Sequence, residues 1–232
     1  MRDVNHWLSR RELFATAAAV AASGAGVAAA PNAGTRWQTP ESVRGLYLNP
    51  LAFTEQGIAE LLDLVDATEI NALVVDVKED GVYVPTEVSL FLEAGEVNPS
   101  VLDPAMLLSR LTERDIYAIA RVVTFRDSYL AETRPDLAVA DATTGLPWRS
   151  YDGLGWLNPM RLETWEAYAA FANELAAVGF DEIQFDYVRF PSDGDMATLD
   201  FGVPIDETVR ADTIAGFLGY CRAALAETGV AT

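Results

Sequence analysis

Four short segments of the chain have side-chain patterns typical of strands, and apolar residues at helical spacing follow each segment. The segments are residues 43–49, 71–78, 116–125 and 179–191, and hydrophobic and polar residues alternate most clearly in the last of them. Alternation with period two is typical of a strand, whereas apolar residues three and four positions apart predict an amphipathic helix. Strands that alternate with helices along the sequence indicate parallel βα units. The pattern therefore predicts an α/β fold that contains four βα units.

The last alternating segment carries a polar face. Within residues 179–191, Ile183 and Phe185 alternate with Gln184 and Asp186, so two polar side chains lie on one face near the carboxyl end of the predicted strand. An α/β barrel places its reactive residues at this end of its strands. Because a buried carboxylate is costly unless it is paired or used, we predict that Asp186 is a functional residue.

Two other predicted strands carry charged residues on the same face. Asp76 and Lys78 follow the alternation of the second strand, and Arg121 lies within the third. An arginine inside an apolar strand needs an anionic partner, and Asp76 or Asp186 is the candidate. Lys78 is the only lysine of the chain, and we expect it to be functional. The alternative is that these four residues form only a buried ion network.

The long connections between the predicted strands supply further candidates. Residues 82–101 are expected to form a long connection with a small hairpin, and residues 126–159 the longest irregular stretch. Long loops in compact domains are often functional. Trp148 and Trp156 in this stretch are predicted to stack on sugar rings; the alternative is that they only pack the loop against the domain.

The amino-acid composition excludes several classes of catalytic and metal site and disfavours some binding partners. The chain has 35 acidic against 16 basic residues and a formal net charge of −19, which disfavours binding to nucleic acid or anionic membranes. Its single histidine, His6, lies in the N-terminal segment, and its single cysteine is Cys221. This excludes His-dependent nucleophilic triads, His-ligated zinc and cysteine clusters from the rest of the chain. We expect no metal and no cofactor, and Cys221 is predicted to be a core residue.

The N-terminal segment is typical of an export signal. Residues 9–14 contain a twin-arginine pattern, and a weakly apolar, alanine-rich run follows. Such a run suits a signal peptide better than a membrane anchor, which needs about 20 strongly apolar residues. We predict a twin-arginine signal at 1–30, a linker at 31–42 and a barrel domain at 43–232. The protein is expected to act in the periplasm, at the cell surface or outside the cell, with no membrane span after signal removal.

Six blocks of residues, in order, resemble a glycoside hydrolase domain family of unknown function that occurs in secreted bacterial and archaeal proteins. The blocks are residues 43–47, 71–80, 119–125, 132–138, 156–159 and 179–192. The resemblance implies a (β/α)8 barrel of the TIM type, related to α-amylase-like glycosidases, of which this chain holds about the first four units. A closed barrel needs eight strands. We therefore expect an N-terminal half-barrel that is incomplete at the C-terminus, and a chain that is a fragment of a longer protein.

The resemblance implies an exported enzyme that acts on a polysaccharide or cell-wall glycan. Glycosidic hydrolysis uses two carboxyl groups, and we assign Asp186 as nucleophile or charge stabiliser. Asp76 is the second candidate, either as acid/base or as a residue that holds a sugar hydroxyl or orients Lys78. The remaining predicted substrate-binding residues are Lys78, Arg121, Tyr187, Arg189, Tyr47, Trp148 and Trp156. The alternative to Asp76 is that the second catalytic carboxylate lies on a strand that follows residue 232.

Two alternatives remain open from the sequence. The domain can be a non-catalytic barrel that binds a glycan without cleaving it. It can also be a lyase or aldolase that forms a Schiff base through Lys78, since lysine amines attack carbonyl substrates. The sequence does not determine the sugar, the linkage, the stereochemical outcome or the oligomeric state.

Overall fold

The structure, a computed structural model, describes residues 39–79 and 81–232. The predicted export signal, residues 1–30, lies outside the described residues, as does most of the predicted linker. Along the chain the elements are β1 (Gly45–Leu48), α1 (Glu55–Asp66), β2 (Ala72–Lys78), α2 (Ser89–Ala94), α3 (Pro104–Thr112), β3 (Tyr117–Val123), α4 (Ser128–Thr133), β4 (Ala140–Asp141), α5 (Leu162–Val178), β5 (Glu182–Asp186), β6 (Leu199–Asp200) and α6 (Glu207–Ala224). Single 3-10 turns occupy Pro50–Ala52 and Met196–Thr198.

The four longer strands form one parallel sheet in the order β1-β2-β3-β5. This confirms the predicted βα architecture. One face of the sheet carries apolar residues such as Leu73 and Val75, which join the main core beneath the helices. The opposite face starts with a small apolar cluster of Ala72, Tyr117 and Ile119 and continues, toward the carboxyl ends of the strands, with charged residues.

Capping side chains determine where most of the helices begin. Thr54, Asp103 and Asp206 accept hydrogen bonds from backbone N–H groups in the first turns of α1, α3 and α6. Pro104 follows its cap at the first helical position, where the missing N–H costs nothing. The predicted helix start at Asp103 is confirmed.

Two connections are more ordered than the sequence analysis predicted. The segment after β2 contains the short helix α2, which ends at the left-handed Gly95. Val82 and Val97 on either side of α2 pair in parallel, so the segment does not form the expected hairpin. Residues 126–159 contain α4 and β4, and β4 pairs antiparallel with β6 in a two-stranded sheet.

The sheet also continues past β5. Ala231 pairs in parallel with Glu182, and its carbonyl accepts a hydrogen bond of 2.9 Å from the N–H of Ile183. This bridge gives β5 a parallel partner in addition to β3. Within the described ranges, no helix has the length and apolar character needed to cross a membrane.

Candidate functional site

Arg121 is the centre of a charged cluster at the carboxyl ends of β2, β3 and β5, a region that we call the mouth. Its Nη1 lies 2.6 Å from Oδ1 of Asp76, and its Nη2 lies 2.7 Å from Oδ2 of Asp186. Both partners predicted for this arginine are therefore bound at once. The register of the sheet explains the contacts, since Asp76 lies opposite Arg121 on β2 and β5 pairs with β3 on the other side.

The two aspartates differ in their access to solvent. Asp76 is fully buried, whereas the side chain of Asp186 is 43% exposed. The hydroxyl of Tyr47 donates a hydrogen bond to Asp76, and Nη1 of Arg121 lies 3.3 Å from the same hydroxyl. Burial and the hydrogen bond to Asp76 raise the pKa of Tyr47. Asp76 therefore holds Arg121 and Tyr47 in place and is closed off from a substrate.

Asp186 is held on both of its oxygens. Oδ2 accepts hydrogen bonds from Arg121, and Oδ1 accepts one of 2.6 Å from the backbone N–H of Tyr187. Tyr187 has a positive φ of 53°, a conformation that is uncommon for a residue other than glycine and that concentrates at functional sites. The backbone turn thus aims the exposed carboxylate at solvent.

Cation–π contacts surround the ring of Tyr187. The guanidinium carbon of Arg126 lies 3.7 Å from the ring centroid, and that of Arg189 lies 5.3 Å from it. Arg189 also lies 4.6 Å from the ring centroid of Trp156, which meets Tyr187 edge-on at 6.1 Å. These contacts stabilise the turn that carries Asp186.

The two tryptophans predicted to stack on sugars are core residues. Trp148 is 2% exposed and Trp156 is 1% exposed. The indole N–H of Trp148 donates to the carbonyl of Asp195, and a Cβ atom at Gly194 would overlap the Trp148 ring. The prediction of open aromatic platforms at these positions was therefore wrong, because the loop folds back over its own aromatic side chains.

Lys78 does not join the mouth, contrary to the prediction. The pairing of β2 with β3 shifts register between Asp76 and Lys78, which breaks the alternation that would have placed both residues on one face. The Lys78 side chain is fully buried under helices, with Nζ 2.6 Å from Oδ2 of Asp127 and 3.5 Å from Oε1 of Glu96. It also lies 5.6 Å from the ring centroid of Tyr168 in α5.

The Lys78 cluster contains two carboxylates and one ammonium. Asp127 is well satisfied, since it also accepts hydrogen bonds from the hydroxyl of Tyr168 and the N–H of Leu130. Neither oxygen of Glu96 accepts a hydrogen bond from a described residue. Burial raises the pKa of Glu96 to about 8, against the opposing charge of Lys78. Burial alone would lower the pKa of Lys78, but Asp127 and Glu96 raise it overall, so the lysine stays charged.

Glu79 is a carboxylate at the mouth that the sequence analysis did not select. It follows β2 directly, its side chain is 28% exposed, and its Oε1 lies 3.8 Å from Arg121 and 3.7 Å from Arg126. Its position immediately after the strand was the available signal. Within the part of the chain that the structure describes, no group of three or more potential ligands among His, Cys, Asp and Glu could hold a metal ion.

Comparison with known families identifies the chain. Residues 45–232 match the family described as "Putative glycosyl hydrolase domain". The chain belongs to this family. The comparison with curated proteins found no match, so the family assignment comes from the domain match and from solved structures.

Solved structures support the assignment of the glycosyl hydrolase domain. It is similar to a hypothetical protein from Ruminiclostridium thermocellum at 32% identity and a TM-score of 0.71, over 80% of this chain and 94% of that protein. It also resembles the exo β-N-acetylglucosaminidase from Vibrio harveyi (14% identity, TM-score 0.58) and the isomaltulose synthase from Protaminobacter rubrum (14% identity, TM-score 0.55). The latter two likenesses show the shared barrel fold alone.

The chain spans less than half the length of these two enzymes. It covers 34% of the Vibrio harveyi enzyme and 43% of the Protaminobacter rubrum enzyme, and these matches take in 81% and 82% of this chain. The four-stranded parallel sheet thus corresponds to part of a glycosidase barrel, and Arg121 and Asp186 lie at the carboxyl ends of its strands. This is the end where α/β barrels carry out their chemistry.

Proposed function

We propose that this domain hydrolyses a polysaccharide or cell-wall glycan, with Asp186 as the carboxylate that faces the sugar. The observation that carries the proposal is the exposure and restraint of Asp186: its side chain is 43% exposed, and both of its oxygens are held by fixed donors. A carboxylate so placed can act as nucleophile or stabilise the positive charge of an oxocarbenium-like transition state.

The other mouth residues support Asp186 in this proposal. Arg121 fixes its orientation and compensates its negative charge. Asp76 is a positioning residue for Arg121, since it is buried beneath the site. The ring of Tyr47 is 52% exposed beside the cluster and offers a contact surface for a sugar.

Glu79 is a second, partly exposed carboxylate that contacts Arg121. It approaches Nη1 at 3.8 Å, and Asp186 approaches Nη2 at 2.7 Å. The two carboxylates thus contact one guanidinium group from the two strands that flank β3, and glycosidic hydrolysis uses a pair of carboxyl groups. We include Glu79 in the proposal as the second carboxylate of the described part of the site.

The proposal includes export through the twin-arginine route and action outside the cytoplasm. The pattern at residues 9–14 supports this part. The Schiff-base alternative is disfavoured, because the ammonium of Lys78 is fully buried and its pKa is raised. A lysine nucleophile needs a neutral amine that the carbonyl substrate can reach.

Two paired assays on the same glycans separate a hydrolase from a glycan-binding barrel. One assay measures binding of the full chain to each polysaccharide of a neutral and acidic panel, and the other measures new reducing ends. The proposal predicts binding together with a time-dependent increase in reducing ends. Binding without any release of ends would identify a binding module and reject the hydrolase.

A further inference from the structure

Two arginines at the mouth are held on aromatic rings close to Asp186. Arg126 lies 3.7 Å from the ring centroid of Tyr187, and Arg189 lies 4.6 Å from that of Trp156. Stacking of this kind fixes a guanidinium in space but leaves its positive charge and its N–H donors available. The aromatic rings therefore hold two guanidinium groups in place in a chain whose formal net charge is −19, and their ion pairs decide which of them is available to a ligand.

Arg189 differs from Arg121 and Arg126, which both form ion pairs with carboxylates. Arg121 pairs with Asp76 and Asp186, and Arg126 pairs with Glu79 at 3.7 Å. No carboxylate among residues 39–79 and 81–232 forms an ion pair with Arg189. Its polar partners there are the hydroxyl of Ser192 at 2.6 Å and the carbonyl of Phe190 at 3.3 Å. Arg189 thus keeps a net positive charge three residues after Asp186.

The same stacking covers the aromatic surfaces of Trp156 and Tyr187, which leaves Tyr47 as the exposed aromatic side chain beside the cluster. Trp156 is 1% exposed, and the ring of Tyr187 has both Arg126 and Arg189 packed against it. A sugar that approaches these rings meets guanidinium groups before it meets an aromatic face. At these two rings the accessible groups are therefore guanidinium groups, which bind anions by charge-assisted hydrogen bonds.

We propose that the glycan bound beside Asp186 carries a sugar carboxylate, as in a uronic acid, and that Arg189 binds this carboxylate, with Arg126 close by. One unpaired guanidinium matches the single negative charge of one carboxylate, and its planar N–H groups suit two carboxylate oxygens. This inference names the substrate class of the proposed hydrolase and rests on that proposed function.

A binding experiment with matched ligands tests the inference without requiring turnover. The full chain is titrated with polygalacturonate, alginate and glucuronoxylan, each beside its carboxyl-esterified form, and with a sulfated galactan. We expect binding to at least one uronate polymer and at least about 10-fold weaker binding to its ester, as expected for the loss of a hydrogen bond to a charged group. Arg189→Gln should weaken uronate binding by a similar factor.

Arg114→Gln is the matched control, because it removes the same charge from the turn before β3, at the opposite end of the sheet. It should leave uronate binding unchanged. Equal binding of acid and ester, preference for the sulfated galactan, or equal effects of the two substitutions would overturn the inference. If a neutral glycan is hydrolysed and uronates are not bound, the hydrolase proposal stands and the acidic substrate class is rejected.

Discussion

Arg121 binds Asp186 through two nitrogens that converge on one oxygen: Nε lies 2.8 Å and Nη2 lies 2.7 Å from Oδ2. The other oxygen, Oδ1, receives the N–H of Tyr187. The carboxylate is thus fixed from the β3 side and from its own backbone turn. Arg134 also holds both oxygens of Asp136 and of Glu163, so restraint alone does not single out Asp186. The basis of the proposed chemistry is the combination of this restraint with a position at the carboxyl end of β5.

The ring of Tyr187 should matter more than its hydroxyl. Tyr187→Phe keeps the ring between Arg126 and Trp156, so we expect its activity to stay within about threefold of wild type. Tyr187→Ala removes the cation–π contacts that hold the turn at positive φ. Activity of the alanine variant should fall by about 10-fold or more, mainly in kcat, with the melting temperature measured in parallel. Equal activity of the two variants would contradict the positioning role.

Glu79 should be required for turnover if it is the second carboxylate. Glu79→Gln removes the negative charge at nearly constant shape, and we expect kcat to fall by about 100-fold or more, the scale of general acid–base catalysis. Glu69→Gln is the control, since Glu69 is an exposed residue just before β2, at the other end of the same strand. If both variants keep wild-type rates, the second carboxylate lies elsewhere.

Lys78 should be essential for stability rather than for chemistry. Lys78→Met leaves Asp127 buried beside an apolar side chain, which we expect to cost about 3 to 5 kcal/mol of unfolding free energy. Lys78→Arg should also destabilise, because a larger cation must fit a fully buried site. Urea denaturation measures the unfolding free energy of both Lys78 variants. Arg114→Gln is the control: it breaks a partly exposed ion pair with Asp66 and should cost less than about 1 kcal/mol. A stable but inactive Lys78→Met protein would instead indicate a catalytic lysine.

Stability should fall as pH rises from about 6 to 8 and should level off above this range. Burial raises the pKa of Glu96 to about 8, above the value of about 4.3 for an unfolded glutamate. The folded state therefore binds the proton of Glu96 more tightly than the unfolded state does. The stability that this proton contributes is fully present below the unfolded pKa and is lost as the pH rises through the folded pKa. Few other groups titrate in this window, since His6 is the only histidine.

Glu96→Gln isolates this effect. The variant should be more stable relative to wild type at pH 9 than at pH 6, as measured by urea midpoints at both values. Parallel pH profiles for the two proteins would mean that Glu96 does not carry the dependence.

The fold was predictable because its signals are local. Short apolar or alternating segments, each followed by a helical pattern, located the four parallel strands. Asp103 before Pro104 located a helix start that the structure confirms. The pairing of Arg121 with both Asp76 and Asp186 was also predictable, since residues on one face of adjacent parallel strands must meet.

The errors came from features that alternation does not encode. A register shift after Asp76 turned Lys78 toward the helices, and no residue type in β2 signals such a shift. The loops around Trp148 and Trp156 fold over these side chains through contacts distant in sequence, such as that of Trp148 with Asp195. Burial of a loop aromatic therefore depends on tertiary structure that loop composition does not reveal.

The most direct test of the account is the rate at which Asp186→Asn releases reducing ends from the glycan that the wild-type chain cleaves. Asp63→Asn, an identical change at an exposed position of α1, is the control. We predict that Asp186→Asn lowers kcat by about 1,000-fold or more while its circular dichroism and melting temperature stay close to wild type, and that Asp63→Asn retains full activity. A folded Asp186→Asn protein with a rate close to wild type would contradict the central claim.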